Sequence, residues 1–138
     1  MISRHDPVRD HMVRNPITID ADLTLADAKA RMAGDGIRHL PVFDDERLVG
    51  ILTARDILLM ESFLDVEAKG TSVRAAMTGS LKTCEPSDSL GHALLMMVEY
   101  GVGAIPVLDG GVLVGIFSTV DAAKTLLRVL AKEEGSRK

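Results

Sequence analysis

The chain has 138 residues, of which 46% are hydrophobic and 26% charged, and its formal net charge at pH 7 is −4. A chain of this length can bury one sizeable core, or two small cores that support each other. The acidic balance, with no lysine or arginine stripe, argues against a nucleic-acid partner. No apolar run approaches the roughly 18 residues of a membrane span, and the N-terminus lacks the apolar middle of a signal peptide. We therefore expect a cytoplasmic protein that binds neither nucleic acid nor membrane.

The first half of the chain predicts two helices around a β-hairpin, preceded by a short helix and a short strand. In chain order, the predicted elements are a helix over 8–13, a strand over 17–19, a helix over 25–33, strands over 39–43 and 48–52, and a helix over 54–64. Gly36 follows the second of these helices, where a glycine commonly ends a helix. Residues 65–72, DVEAKGTS, are polar and predict a linker.

The second half predicts the same order of elements. These are a helix over 73–77, a strand near 82–84, a helix over 90–100, a hairpin within 104–117 and a helix over 119–130. The tail KEEGSRK is polar and charged, which is typical of a fraying helix end. We therefore divide the chain into a first repeat with its leading helix and linker, residues 1–72, and a second repeat, residues 73–138.

The two halves are copies of one another at an offset of 65 positions. Residues 40–56, LPVFDDERLVGILTARD, align without a gap with residues 105–121, IPVLDGGVLVGIFSTVD, and VRDHM at 8–12 aligns with VRAAM at 73–77. Such a duplication decides the fold. Each copy predicts a β-α-β-β-α unit of the α/β (α+β) class, whose uncovered apolar face would pack on its twin about a pseudo-twofold axis. The last helix of each copy carries further aliphatic residues, which favours a homodimer.

Each copy has a hydroxyl residue and an aspartate three positions apart where the hairpin meets the last helix. These are Thr53 and Asp56 in the first copy, and Ser118 and Asp121 in the second. This spacing is typical of a helix N-terminus, with the hydroxyl at the N-cap and the carboxylate near N3. The pairs can therefore be helix caps alone, or caps that also bind a ligand, and their residues alone do not decide between the two.

The residues that could carry catalysis are scattered. His5, His11, His39 and His92 show no metal-ligand spacing, and no serine-histidine-aspartate or paired-carboxylate arrangement can be read. Cys84, the only cysteine, is interpreted as a small buried hydrophobe rather than a nucleophile. We expect no enzyme activity, no metal and no obligatory cofactor.

The duplicated pattern P-V-x-D followed by L-V-G-I-x-[ST]-x-x-D resembles a tandem pair of CBS domains, a Bateman module, over roughly residues 8–130. The leading V-R-x-x-M and the helix-ending Gly36 and Gly101 fall in the same register. The resemblance implies a free-standing regulatory module that binds AMP, ADP, ATP or S-adenosylmethionine in the cleft between the two repeats and switches a protein partner. The alternative is a structural or protein-interaction module that has kept the fold without the ligand.

The resemblance also implies roles for individual residues. In this family the hydroxyl and the carboxylate of the junction hold a ribose, which implicates Thr53, Asp56, Ser118 and Asp121. Phosphate contacts would come from Arg38, His39 and Arg55 in the first copy, whereas the second copy has Gly103 and Ala104 where the first has Arg38 and His39. The base would lie against the first strand of a repeat, often that of the opposite repeat. The matching residues are Ile17, Thr18 and Ile19 in the first copy and Lys82, Thr83 and Cys84 in the second. Lys82 is also a candidate for contact with a phosphate.

Overall fold

The computed structural model describes residues 1–136, and this part of the chain is a mixed α+β structure with two three-stranded sheets. In chain order its elements are the 3-10 turn Val8–Asp10, β1 (Val13–Arg14), β2 (Ile19–Asp20), α1 (Leu25–Asp35), β3 (His39–Asp44), β4 (Arg47–Thr53), α2 (Ala54–Phe63), the 3-10 turn Ala68–Gly70, α3 (Val73–Ala76), α4 (Leu90–Tyr100), β5 (Ala104–Asp109), β6 (Val112–Ser118) and α5 (Thr119–Ser136). The α+β class and the two β-α-β-β-α repeats expected from the sequence are confirmed.

Both sheets are built around a hairpin, and they share one plan. In the first sheet β3 pairs antiparallel with β4 and parallel with β2, with Ile19 opposite Val42. In the second sheet β5 pairs antiparallel with β6, which also pairs antiparallel with β1. Isolated bridges make the two sheets more alike. Cys84 forms a parallel bridge with Val107, which corresponds to the pair Ile19 and Val42 at the offset of 65 positions. Thr78 forms an antiparallel bridge with Ile51, which corresponds in the same way to the pair Val13 and Ile116.

Local sequence sets the ends of the elements as expected. The turn between β5 and β6 uses Gly110 and Gly111 at φ values of 57° and 87°, a backbone region that glycine adopts without strain. Helix α1 begins at a reciprocal capping box between Thr24 and Asp27. It ends at Gly36, which has a left-handed φ of 64°.

The chain forms two compact units whose boundaries differ from those of the repeats. One unit consists of Met1–Asn15 together with the chain from Lys82 onward, and the other of Pro16–Leu81. The leading part of each repeat thus pairs with the hairpin of the other repeat, Val13 with Ile116 through β1 and Thr78 with Ile51 through a single bridge. Val8 is fully buried in the core around Phe117, and Val73 is fully buried in the core around Leu52.

The V-R-x-x-M segment and the glycine of L-V-G-I fit together within each unit. A methyl group added at Gly50 would lie 2.6 Å from Met77 Sδ and 2.8 Å from the carbonyl oxygen of Thr78. A methyl group added at Gly115 would meet the side chain of Met12. Each glycine therefore leaves the room in which the methionine of a V-R-x-x-M segment packs against the strand.

Four predicted elements need correction. The helix predicted over 8–13 is a 3-10 turn at Val8–Asp10 followed by β1, because the backbone of Val13 and Arg14 pairs with β6. The strand predicted over 17–19 covers Ile19–Asp20, since pairing with β3 begins only at Ile19. The strand predicted near 82–84 is a single bridge at Cys84. The last helix continues past residue 130 to Ser136, and Arg137 and Lys138 of the tail lie outside the described residues.

Candidate functional site

The junction between β4 and α2 brings together the hydroxyl and the carboxylate expected at the first site. The Thr53 side chain accepts the backbone N–H of Asp56 at 3.0 Å, and Asp56 Oδ2 accepts the backbone N–H of Thr53 at 2.9 Å. Both predicted positions, N-cap and N3, are confirmed. The N–H groups of the first helical turn lie beside this carboxylate, and a helix N-terminus of this kind favours anionic groups.

The junction between β6 and α5 has the same arrangement with a more buried carboxylate. Asp121 Oδ2 accepts the backbone N–H of Ser118 at 2.8 Å and the Ser118 hydroxyl at 2.9 Å. Only 7% of Asp121 is exposed to solvent. Burial of this kind is tolerated because the charge is hydrogen-bonded.

Both aspartates therefore act as helix caps, and each does so through a single carboxylate oxygen. The described residues donate to Oδ2 of Asp56 and Asp121, and they give Oδ1 of either residue no hydrogen bond. An ionised carboxylate has several acceptor positions. Each junction thus keeps acceptor capacity that capping does not use, which is the chemistry needed to hold a pair of sugar hydroxyls.

The expected phosphate-binding residues lie next to the first junction. His39 is the register partner of Thr53, and the Ala54 N–H donates to the Arg38 carbonyl oxygen at 2.9 Å. The second junction repeats this backbone contact, from the Thr119 N–H to the Gly103 carbonyl oxygen at 3.0 Å. The backbone frame is therefore the same in both repeats, and only the first adds cationic side chains to it. Arg55 is exposed on the first turn of α2.

The two segments expected to contact a base lie beside the hairpins. The first segment, Ile17, Thr18 and Ile19, leads into β2, and β3 separates β2 from β4 in the sheet. The second segment, Lys82, Thr83 and Cys84, reaches β5 through the bridge between Cys84 and Val107. Neighbouring strands are about 4.8 Å apart, so each segment lies roughly 10 Å across the sheet from its own junction. The structure therefore brings each segment predicted to contact a base into the same sheet as a junction, two strands away from it.

Two contacts around these segments could not be read from the sequence. Arg31 Nη1 donates to the Thr18 carbonyl oxygen at 2.8 Å, and Lys82 Nζ lies 4.5 Å from the centroid of the Tyr100 ring. The repeat alignment offered one signal, because Arg31 and Tyr100 have unlike counterparts in the other copy, Met96 and Asp35.

Cys84 is buried, with 4% of its surface exposed. Desolvation, together with the charge of Asp88, raises the pKa of its thiol to about 11. Because the thiolate is the reactive form, this cysteine is poorly suited to nucleophilic chemistry. Any contact it makes with a ligand would be through its apolar surface or its backbone.

Arg38 also lines a groove of about 630 Å³ between α1 and α2. Its other lining residues include Met32, Ala54, Ile57 and the ion pair of Lys29 with Glu61, whose Nζ–Oε1 distance is 3.1 Å. Thr53, Asp56 and residues 17–19 do not line it. The sequence-predicted site of the first repeat is therefore divided between this groove, which Arg38 lines, and the junction, which holds Thr53 and Asp56.

The family model described as CBS domain matches the chain twice, over residues 8–61 and 73–128. This chain belongs to the CBS domain family. The two matches coincide with the two copies of the repeat, so the suspected CBS pair is confirmed.

Three relatives illustrate the range of the family. L-aspartate semialdehyde sulfurtransferase from Methanosarcina acetivorans is 34% identical over 88% of this chain and 24% of the enzyme. The solved structure of the CBS domain protein NE2398 is 31% identical, with a TM-score of 0.79 over 88% of this chain and 98% of that one. The CBS domain pair of protein MJ0100, solved in complex with 5′-methylthioadenosine and S-adenosyl-L-methionine, is 25% identical, with a TM-score of 0.76 over 96% of this chain and 98% of that one.

This chain spans about a quarter of the length of the curated enzymes that it matches. The shared region is the CBS pair, which in this family is a regulatory module. Among the described residues, no helix is long and apolar enough to cross a membrane. Within residues 1–136, no three histidine, cysteine, aspartate or glutamate side chains are grouped as metal ligands would be.

Proposed function

We propose that this CBS pair binds an adenosine-containing ligand, which is AMP, ADP, ATP or S-adenosylmethionine. The bound pair then changes the activity of a protein partner in the cytoplasm. The observation that carries the proposal is the spare acceptor capacity of Asp56 and Asp121 at two helix N-termini. The complex of the related pair in MJ0100 with 5′-methylthioadenosine and S-adenosyl-L-methionine supports the ligand class.

The two repeats are not equivalent in this proposal. Arg38, His39 and Arg55 place cationic or protonatable side chains around the first junction, while Gly103 and Ala104 leave the second junction without the counterparts of the first two. A ligand with a phosphate chain should therefore prefer the first repeat. The buried Asp121 junction suits an uncharged or cationic adenosyl ligand better, because it offers no arginine to a phosphate.

The test is binding of AMP, ADP, ATP and S-adenosylmethionine, measured by thermal unfolding and by calorimetric titration. A ligand at about 100 times its Kd should stabilise the protein by roughly 2.7 kcal/mol. The informative variants are Asp56→Asn and Asp121→Asn, since asparagine can still accept the capping hydrogen bond but lacks the charge and one acceptor oxygen. One of them should weaken binding by about tenfold or more.

Asp27→Asn is the matched control, because Asp27 caps α1 in the same way as Asp56 caps α2 but belongs to no expected site. It should change stability without changing affinity. If Asp27→Asn weakens binding as much as the other two variants, the effect of those variants comes from the helix caps and the proposed ribose contact is wrong.

The completed capping boxes favour one alternative function, a protein-interaction module without a ligand. Both junctions are already hydrogen-bonded without any ligand, so they can serve a purely structural purpose. Under this alternative none of the four ligands shifts the unfolding temperature, and all three aspartate variants lose stability alone.

The switching part of the proposal has its own test. Helices α2 and α5 begin at the two junctions, so a ligand held by Asp56 or Asp121 should slow amide hydrogen exchange in the first turns of these helices. Exchange measured with and without saturating ligand should differ at residues 54–58 or 119–123. Identical exchange in the presence of bound ligand would rule out signalling through these helices.

We also propose that the protein forms a homodimer. Helix α2 and the residue after it expose Leu58, Phe63 and Leu64 by 62%, 79% and 64%, and α5 exposes Leu126 and Leu127 by 57% and 66%. Apolar helix faces of this kind mark interaction sites in soluble proteins. Light scattering at micromolar concentration should give twice the chain mass, and Phe63→Glu or Leu127→Glu should reduce it. A monomer for the native chain would reject the dimer.

A further inference from the structure

The two arginines of the V-R-x-x-M segments occupy equivalent positions but have different surroundings. Arg74 Nη2 lies 3.3 Å from Asp22 Oδ1 and 3.3 Å from Asp44 Oδ2, so two carboxylates hold one guanidinium. These contacts raise the pKa of Arg74. Its positive charge is compensated within the unit formed by residues 16–81.

Arg9 is the counterpart of Arg74, but its positive charge is not fully compensated by carboxylates. Ser87 stands where the other repeat has Asp22, which leaves Asp109 as the single equivalent carboxylate. No ion pair joins Arg9 or Arg14 to a carboxylate among residues 1–136. Arg14 adds a second guanidinium at a position that is Gly79 in the other repeat, and its Nη2 lies 3.4 Å from the Arg9 carbonyl oxygen.

These side chains surround a cavity rather than a flat surface. Arg9, Arg14, Asn15 and Asp109 line a pocket of about 300 Å³ together with Pro86. The backbone N–H of Arg9 donates to the Pro86 carbonyl oxygen at 3.2 Å, which joins two of the lining residues directly. A volume of this size is at the lower end of the range found for small-molecule sites.

We propose that Arg9 and Arg14 form a binding site for a small phosphate-type oxyanion, either free inorganic phosphate or the phosphate group of a small metabolite. Two guanidinia facing one carboxylate leave a positive excess, whereas the same place in the other unit has two carboxylates and one guanidinium. Guanidinium groups bind phosphate oxygens through paired, charge-assisted hydrogen bonds. This site is separate from the two junctions and does not depend on the adenosyl ligand proposed for them.

The test is titration of the full chain with inorganic phosphate and, separately, with glycerol 3-phosphate, at low chloride and constant ionic strength, followed by phosphorus NMR. Arg9→Gln and Arg14→Gln should each weaken binding by about tenfold. Ser87→Asp should weaken it at least as much, because it restores the carboxylate that compensates Arg74 in the other unit. Tighter binding of inorganic phosphate would identify the free ion as the ligand, and tighter binding of the ester would identify a phosphorylated metabolite.

Two controls separate this site from general charge effects. Arg47→Gln removes an exposed arginine from the first hairpin, and Arg128→Gln removes an exposed arginine from α5. Both should leave phosphate affinity unchanged. The proposal is overturned if the native protein binds neither probe, if Ser87→Asp binds phosphate as the native protein does, or if either control weakens binding as much as Arg9→Gln.

Discussion

Gly50 and Gly115 are equivalent in the two repeats, but an added methyl group meets different obstacles at the two positions. At Gly50 the obstacles include the backbone carbonyl of Thr78, 2.8 Å from the methyl position, whereas at Gly115 all of them belong to the flexible side chain of Met12. We expect Gly50→Ala to reduce the free energy of unfolding by about 1–3 kcal/mol, as overpacking does. Gly115→Ala should cost under about 1 kcal/mol, because methionine adapts to irregular space.

Urea denaturation checks both glycine variants, with Gly34→Ala as the matched control. Gly34 lies in α1 with nothing within 4 Å of its methyl position, so alanine there should stabilise the protein by about 0.5–1 kcal/mol. Equal losses in the free energy of unfolding for Gly50→Ala and Gly115→Ala would show that the Thr78 backbone is not the obstacle.

Cys84 gives a second prediction at the scale of single residues. Its raised thiol pKa of about 11 and its burial predict that 5,5′-dithiobis(2-nitrobenzoate) reacts slowly with the native protein at pH 8. The same thiol should react within the mixing time in denaturant. Rapid reaction of the native protein, at the rate of a free thiol, would place Cys84 on the surface and contradict its position beside β5.

At the scale of elements, helix α1 provides a test of capping by a charged residue. Hydrogen bonds from the Thr24 backbone and side chain lower the pKa of Asp27 from its ordinary value of 3.8. A carboxyl group with a lowered pKa in the folded state stabilises the fold above its unfolded pKa, and this contribution is lost as pH falls through the folded value. The stability difference between the native protein and Asp27→Asn should thus stay constant from pH 7 to about pH 4.5 and shrink below about pH 4.

Thermal unfolding across that pH range measures this difference. Glu46→Gln is the control, because Glu46 is exposed in the turn between β3 and β4, where its carboxylate caps no helix. Its difference from the native protein should show no comparable step near pH 4. A difference for Asp27→Asn that persists unchanged to pH 2.5 would mean that the capping carboxylate contributes nothing through its charge.

The ends of helices and strands are the features that the sequence predicts best. The capping pairs Thr53 with Asp56 and Ser118 with Asp121, the helix ends at Gly36 and Gly101 and both hairpins were predicted correctly, because each depends on residues close together in the chain. Residues 8–13 were predicted wrongly, since the strand at Val13 exists only through pairing with Ile116, about a hundred positions away. Likewise, the partners of Arg74 lie 52 and 30 positions away, and no local pattern marks them.

For the candidate site, the sequence predicted where the backbone of each residue lies better than it predicted what the side chains contact. The resemblance assigned Arg38 and His39 to the same ligand as Thr53, and the pairing of β3 with β4 brings their backbone beside it. It could not show that Arg38 also lines the groove between α1 and α2, or that Arg31 bonds to the Thr18 carbonyl.

At the scale of the whole molecule, the exchange of leading segments between the two repeats makes a prediction that the order of the sequence does not suggest. Val8 lies in the leading segment of the first repeat but is buried in the core formed by residues of the second repeat. Val73 lies in the leading segment of the second repeat and is buried in the core formed by residues of the first. Truncating either valine to alanine removes buried surface from one unit only. Each substitution should lower the free energy of unfolding by roughly 1–3 kcal/mol.

Hydrogen exchange measured by mass spectrometry locates the effect of each substitution. Val8→Ala should accelerate exchange in β5 and β6, whose core contains Ile105 and Phe117, while leaving β3 and β4 closer to the native rates. Val73→Ala should do the opposite, accelerating exchange in β3 and β4. If Val8→Ala instead loosened β3 and β4 first, each leading segment would stabilise its own repeat, and the division into Met1–Asn15 with the second repeat and Pro16–Leu81 would be wrong.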